Sequence, residues 1–141
     1  MITPDANIVL YAYNEDAPNH RKAKQWLEDQ FSQTAVFGLS WQVITAFLGI
    51  STNPRAFPLP FDLQEAIEIV DEWLALPNVE ILTPTANHWT IFQKLINEGQ
   101  TKAALMMDAH LAALAIEHNA TLATTDSDFQ KFSQLKSIIP L

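Results

Sequence analysis

The chain contains no cysteine, which excludes a disulfide framework and thiolate chemistry. No apolar run reaches the length that crosses a bilayer, and the opening MITPDANIV lacks the basic flank of a secretory signal. A soluble, cytoplasmic protein with no membrane association is expected. Basic residues are scarce, eight Lys plus Arg against sixteen Asp plus Glu, for a net charge of −8. Three of those eight cluster at Arg21, Lys22 and Lys24. A protein that grips phosphates by charge alone normally carries a basic surface, so composition argues mildly against non-specific nucleic-acid binding. It is compatible with a bound cation. The GxGxxG, P-loop, GxSxG and HExxH patterns are all absent. No two of the four histidines stand at the i, i+4 spacing of a zinc helix, and His110 lies two residues from Asp108, roughly across the helix from it.

What remains is a chain of 141 residues, 48% hydrophobic and 17% charged. That is enough for one domain over 1–141 with a real core. There is no internal repeat, and the Pro-rich NPRAFPLP (53–60) is short enough to be a loop. The pattern alternates strand and helix. MIT opens as a strand, followed by helices over 7–13 and 18–31. AVFG (35–38) reads as a strand, then helices over 40–51, capped by Ser40, and 63–76, capped by Asp62. VEIL (79–82), a helix over 86–98, a strongly apolar helix over 103–118, TLAT (121–124) and SII (137–139) complete the chain. Short strands separated by helices predict an α/β fold with a mainly parallel central sheet and helices on both faces. Ligands in such folds collect beyond the carboxyl ends of the strands.

Most acids lie on polar faces of amphipathic helices. Three sites differ. Asp5 follows the first strand directly, as a helix cap or as a ligand at the sheet edge. Asp108 is the only acid between Ala103 and Ile116. Its helical neighbours Ala104, Leu105, Leu111, Ala112 and Ala115 form an apolar stripe expected to face the core, where a charge is costly unless paired or holding a cation. Asp126 and Asp128, in TTDSD, end a strand, and the same residues suit a turn or the cap of a short helix through Phe132. If the strands are neighbours, Asp5, Asp108 and Asp126 converge. Like charges that close cannot all ionise unaided, and a hard divalent cation relieves them. Thr124 and Thr125 can hydrogen-bond the carboxylates or a bound water, or serve as ordinary strand residues.

MITPDANIVLYAY resembles the opening of PIN-domain proteins, FLGISTNPRAF (47–57) resembles a segment of their VapC toxin branch, and MMDAHLAALAIEHNATLATTDSDFQKF (106–132) is the most similar stretch. The resemblance covers nearly the whole chain and implies a three-layer PIN-like fold. It also implies an endoribonuclease dependent on Mg²⁺ or Mn²⁺ and paired with a VapB-like antitoxin. The metal ligands it implies are Asp5, Asp108 and Asp126, with Asp128 auxiliary and Asn7 in support; Thr125 remains a candidate on its hydrogen-bonding chemistry alone. The family usually has a Glu on the helix after the second strand; SWQVITAFLGI has no acid, and Gln42, Thr45 or Ala46 stands near that place. A weakened, binding-only PIN-like module acting through antitoxin or RNA is the leading alternative, ahead of an aspartyl phosphotransferase. A homodimer is expected, with the aromatic-rich 47–61 stretch as an exposed apolar patch.

Overall fold

The computed structural model describes residues 1–141. Five parallel strands form one sheet in the order β3-β2-β1-β4-β5. They are β1 (Ile2–Pro4), β2 (Phe37–Ser40), β3 (Val79–Leu82), β4 (Thr121–Ala123) and β5 (Ser137–Ile138). Helices α1 (Ala6–Tyr13) and α2 (His20–Phe31) connect β1 to β2. Helices α3 (Trp41–Ser51) and α4 (Leu63–Ala75) connect β2 to β3. Helices α5 (His88–Glu98) and α6 (Met106–Glu117) connect β3 to β4. The chain winds outward from β1 to β3, then returns to the other side of β1. The strand order therefore reverses between β1 and β4, where sheets of this kind open a crevice for ligands.

Local chemistry fixes the ends of these elements. Ser40 closes β2 and caps α3, its Oγ accepting from the Val43 N–H at 3.2 Å. Asp62 and Glu65 form a reciprocal capping box on α4. Asn119 takes a left-handed conformation, φ 52°, as α6 turns into β4, a conformation Asn tolerates at a helix end.

Three expectations are corrected. Strand β2 is not 35–38 but begins at Phe37, because its register is set by β3, with Phe37 opposite Val79 and Ser40 opposite Leu82. The Ala35 carbonyl accepts instead from the Asn78 side chain. The helix expected over 103–118 starts with a 3₁₀ turn, Ala103–Leu105, and becomes α-helical only at Met106. Finally, the exposed apolar side chains of 47–61 are aliphatic rather than aromatic. Phe47 and Phe57 are buried, and Phe47 and Phe61 pack with Tyr13 and Trp73, where the Trp73 indole N–H donates to the Tyr13 hydroxyl at 2.9 Å. The exposed apolar side chains nearby are aliphatic: Ile50, Leu59 and Leu63, continuing to Ile67 and Leu74 on α4.

The core lies on both faces of the sheet, with Ile8, Val9, Phe37, Leu39, Val43, Phe47, Leu95, Leu111, Leu122, Phe129 and Phe132 all buried. Each such side chain contributes about 1.5–3 kcal/mol relative to exposure. Ala109, Ala112, Ala113 and Ala115 are also buried, giving α6 a surface of small residues within the core.

Candidate metal centre at the strand-order reversal

The site is built where β1 and β4 end side by side. Pro4 pairs with Ala123, and the next N–H, that of Asp5, donates to the Ala123 carbonyl at 2.9 Å. The ladder therefore holds Asp5 and Thr124 next to each other at the carboxyl edge. Asp5 caps α1, its Oδ1 accepting from the Ala6 N–H at 2.7 Å. Its Oδ2 accepts from the hydroxyl of Thr124 at 3.0 Å, and that same hydroxyl accepts from the Asp126 N–H at 3.0 Å. One buried threonine thus locks Asp5 and the turn carrying Asp126 together. The Asp126 carboxylate in turn accepts from the Asp128 N–H at 2.9 Å, capping the short 3₁₀ helix Ser127–Lys131. The cap and ligand readings of Asp5 and Asp126 are therefore not alternatives, since each carboxylate has lone pairs beyond those its cap uses.

Asp108 enters from the first turn of α6. The apolar stripe expected around it divides. Leu111, Ala112 and Ala115 are buried, but Ala104 is exposed and Leu105 half-buried, because the chain there is a 3₁₀ turn outside the core. Asp108 is therefore half-buried at the rim of the crevice. Its carboxyl oxygen and those of Asp126 and Asp128 lie within 4.8 Å of one another. The Asp108 carboxyl is pushed up to about 6, by burial first and then by the charges of Asp5, Asp126 and Asp128, with Lys131 opposing. Burial also raises the carboxyl of Asp5, against the two hydrogen bonds it accepts from Thr124 and Ala6. An all-oxygen cluster that represses its own ionisation matches the ligand preference of a hard divalent cation.

The implied ligand set and the close set differ by one residue: Asp108, Asp126 and Asp128 form the close cluster, with Asp5 tied beside it by Thr124. Asn7 and Thr125 are exposed, and neither side chain makes a hydrogen bond within the chain. The supporting threonine is Thr124, one residue earlier. Gln42, which the sequence places near the missing Glu, makes a contact the sequence does not foretell: its Nε2 donates to the Met107 carbonyl at 3.1 Å. That bond joins the first turn of α3 to the residue preceding Asp108. The Oε1 of Gln42 is buried with no partner within the chain. His110 makes its contact outside the acidic cluster. Its Nδ1 lies 2.9 Å from Nε2 of His88, whose Nδ1 lies 2.7 Å from Glu117.

Thr124→Val tests the lock. The exchange keeps the shape and leaves a buried carboxylate oxygen and an N–H without their partner, which costs about 1–3 kcal/mol. A lower melting temperature is expected, with Mn²⁺ held about tenfold more weakly because Asp5 and Asp126 lose their common anchor. A variant as stable as the parent that binds Mn²⁺ as tightly would remove Thr124 from this role.

The sequence matches the PIN domain family over residues 2–135. It is 37% identical to Ribonuclease VapC37 of Mycobacterium tuberculosis over 132 residues, covering 94% of this chain and 92% of that one. It is 38% identical to Ribonuclease VapC33 of the same species over 141 residues, covering 100% and 99%. Among solved structures, VapBC2 from Rickettsia felis, bound to a DNA fragment from its promoter, superposes with a TM-score of 0.70 at 21% identity, covering 98% of each chain. A match spanning nearly the whole chain, on a parallel sheet with acids at its strand-order reversal, is membership: the chain belongs to the PIN domain family.

Proposed function

We propose that the protein is a metal-dependent endoribonuclease that hydrolyses RNA phosphodiester bonds and acts as the toxin of a toxin–antitoxin pair. The observation that carries this reading is the acidic cluster at the β1/β4 reversal, in a chain more than a third identical to named ribonucleases over its whole length. Asp108, Asp126 and Asp128 would hold Mg²⁺ or Mn²⁺. Asp5, fixed by Ala6 and Thr124, adds a fourth carboxylate at the same edge. A bound divalent cation of this kind supplies a more acidic water and charge stabilisation at the phosphoryl oxygens. The chain itself supplies rigidity, since three of the four carboxylates sit at the starts of helices or turns that the sheet edge fixes. The raised carboxyl of Asp108 reflects the crowding of acids in the metal-free cluster, a crowding that a bound cation would relieve.

The test is cleavage of labelled RNA by the purified chain with Mg²⁺ or Mn²⁺. Cleavage should stop on addition of EDTA and return with excess metal. Products formed equally well in EDTA would sink the reading. The binding-only alternative rests on α3, which offers the site no acid. RNA bound but left intact at every metal concentration would favour it.

A VapB-like antitoxin is the proposed protein partner. Self-association is also proposed, through the aliphatic surface of Leu59, Leu63, Ile67 and Leu74. Light scattering at micromolar concentration should give the mass of a dimer; a monomer mass would remove this expectation.

A further inference from the structure

We propose that Trp41 is a stacking platform for one unpaired base of the RNA substrate, next to the scissile phosphate. The inference rests on the ribonuclease reading and adds the contact by which an acidic protein holds its substrate.

Large aromatic side chains are usually mostly buried, yet Trp41 is 54% exposed. It is the first residue of α3, directly after Ser40 at the carboxyl end of β2, one strand away from Asp5. The hydrogen bond from Gln42 to the Met107 carbonyl clasps this turn to the start of α6. Met107, between that clasp and Asp108, is 57% exposed. Two large apolar residues are thus exposed on the starts of α3 and α6, the two helices this hydrogen bond joins, and Asp108 follows one of them directly. Neither belongs to the core, and no hydrogen bond engages the Trp41 indole N–H.

Charge explains why such a platform is needed. With a net charge of −8, the chain gains little from phosphate contacts, which dominate most nucleic-acid affinity. Of its eight Lys and Arg, three stand together on α2 at Arg21, Lys22 and Lys24. Stacking on an aromatic face is independent of charge and tolerates any base. Only an unpaired base can reach such a face, so the substrate class is RNA with a single-stranded segment or a loop at the cleavage site.

The experiment uses the full chain carrying Asp108→Asn, to prevent turnover, and a labelled short single-stranded RNA alongside the same sequence annealed into a duplex. Fluorescence polarisation should show the single strand bound in preference to the duplex. Adding Trp41→Leu should weaken single-strand binding about tenfold, the ordinary worth of one stacked base, and Trp41→Phe should restore most of it. In the active background, Trp41→Leu should raise KM with kcat little changed. Trp89→Leu, at the other exposed tryptophan, 64% exposed, should leave binding unaltered. Equal binding by the parent and Trp41→Leu would overturn the inference, as would an equal loss from Trp89→Leu. Loss of affinity for an antitoxin but not for RNA would overturn it in favour of a protein contact. If the parent itself cleaves no RNA, the ribonuclease reading fails, a result separate from any of these.

Discussion

Asp108→Asn is expected to abolish cleavage while leaving the metal-free protein as stable as the parent, or more so. Asp108 stands in the crevice beside three other carboxylates, and its carboxyl is raised from 3.8 to about 6. A group whose folded value lies above its unfolded value favours folding most where it is protonated. Its contribution is therefore full below the unfolded value near 3.8 and declines as pH rises through about 6. At neutral pH the ionised carboxylate is a net burden on the metal-free fold. Discounted for the solvent that screens a half-exposed group, that burden is about 1 kcal/mol. The position in the first turn of α6 offsets part of it, since an acid there interacts favourably with the helix N-terminus. The neutral amide keeps the shape and removes the pH dependence, so the two melting curves should separate progressively between pH 4 and pH 7. Adding Mn²⁺ should reverse their order, because a cation that binds only the folded parent stabilises it, whereas Asp108→Asn lacks a ligand. A large loss of metal-free stability in the variant, or retained cleavage, would show that Asp108 is structural rather than a ligand.

The outline of this arrangement is legible along the chain because its signals are local. Asp5 and Asp126 each follow a short apolar strand directly, and strand ends in a parallel sheet are where ligands gather. The helix caps at Ser40 and Asp62 follow from residue type and spacing alone. What the sequence hides depends on partners distant in the chain. Thr124 and Thr125 look equivalent, but alternation along β4 turns the first toward Asp5 and leaves the second exposed. That parity is fixed by the pairing of Pro4 with Ala123, across more than a hundred residues. The periodicity around Asp108 is real, yet two of the five residues of its stripe are not core, because the 3₁₀ turn at 103–105 shifts Ala104 and Leu105 outside it. The clasp from Gln42 to Met107 and the pairing of His88 with His110 and Glu117 leave no local signature at all. The aromatics of 47–61 read as surplus surface because Tyr13 and Trp73, their partners in the core, come from helices on either side in sequence.

The acid missing from α3 has a consequence for metal content. A two-metal phosphoryl-transfer site needs enough oxygen ligands to hold cations about 4 Å apart. Here the close cluster is Asp108, Asp126 and Asp128, while Asp5 already shares its oxygens with the Ala6 N–H and the Thr124 hydroxyl. Mg²⁺ sheds water reluctantly and is held weakly by few carboxylates. The chain without RNA is therefore expected to take up one ion, the second being completed by a substrate phosphate. Ala46 lies four residues after Gln42 on α3, on the helix face that Gln42 turns toward α6. Ala46→Glu should therefore add a carboxylate on the side of the cluster and tighten Mn²⁺ about tenfold in calorimetric titration. Gln42→Glu should not do the same. A carboxylate cannot donate to the Met107 carbonyl, so it would exchange the clasp for two facing acceptors and lower metal-free stability. Crystals of the parent soaked in Mn²⁺ and measured for anomalous scattering decide the count. A single strong peak bounded by Asp108, Asp126 and Asp128 is expected. Two fully occupied peaks with no nucleic acid present would show that Asp5 ligates as readily as its neighbours, and that the absent Glu costs the site nothing.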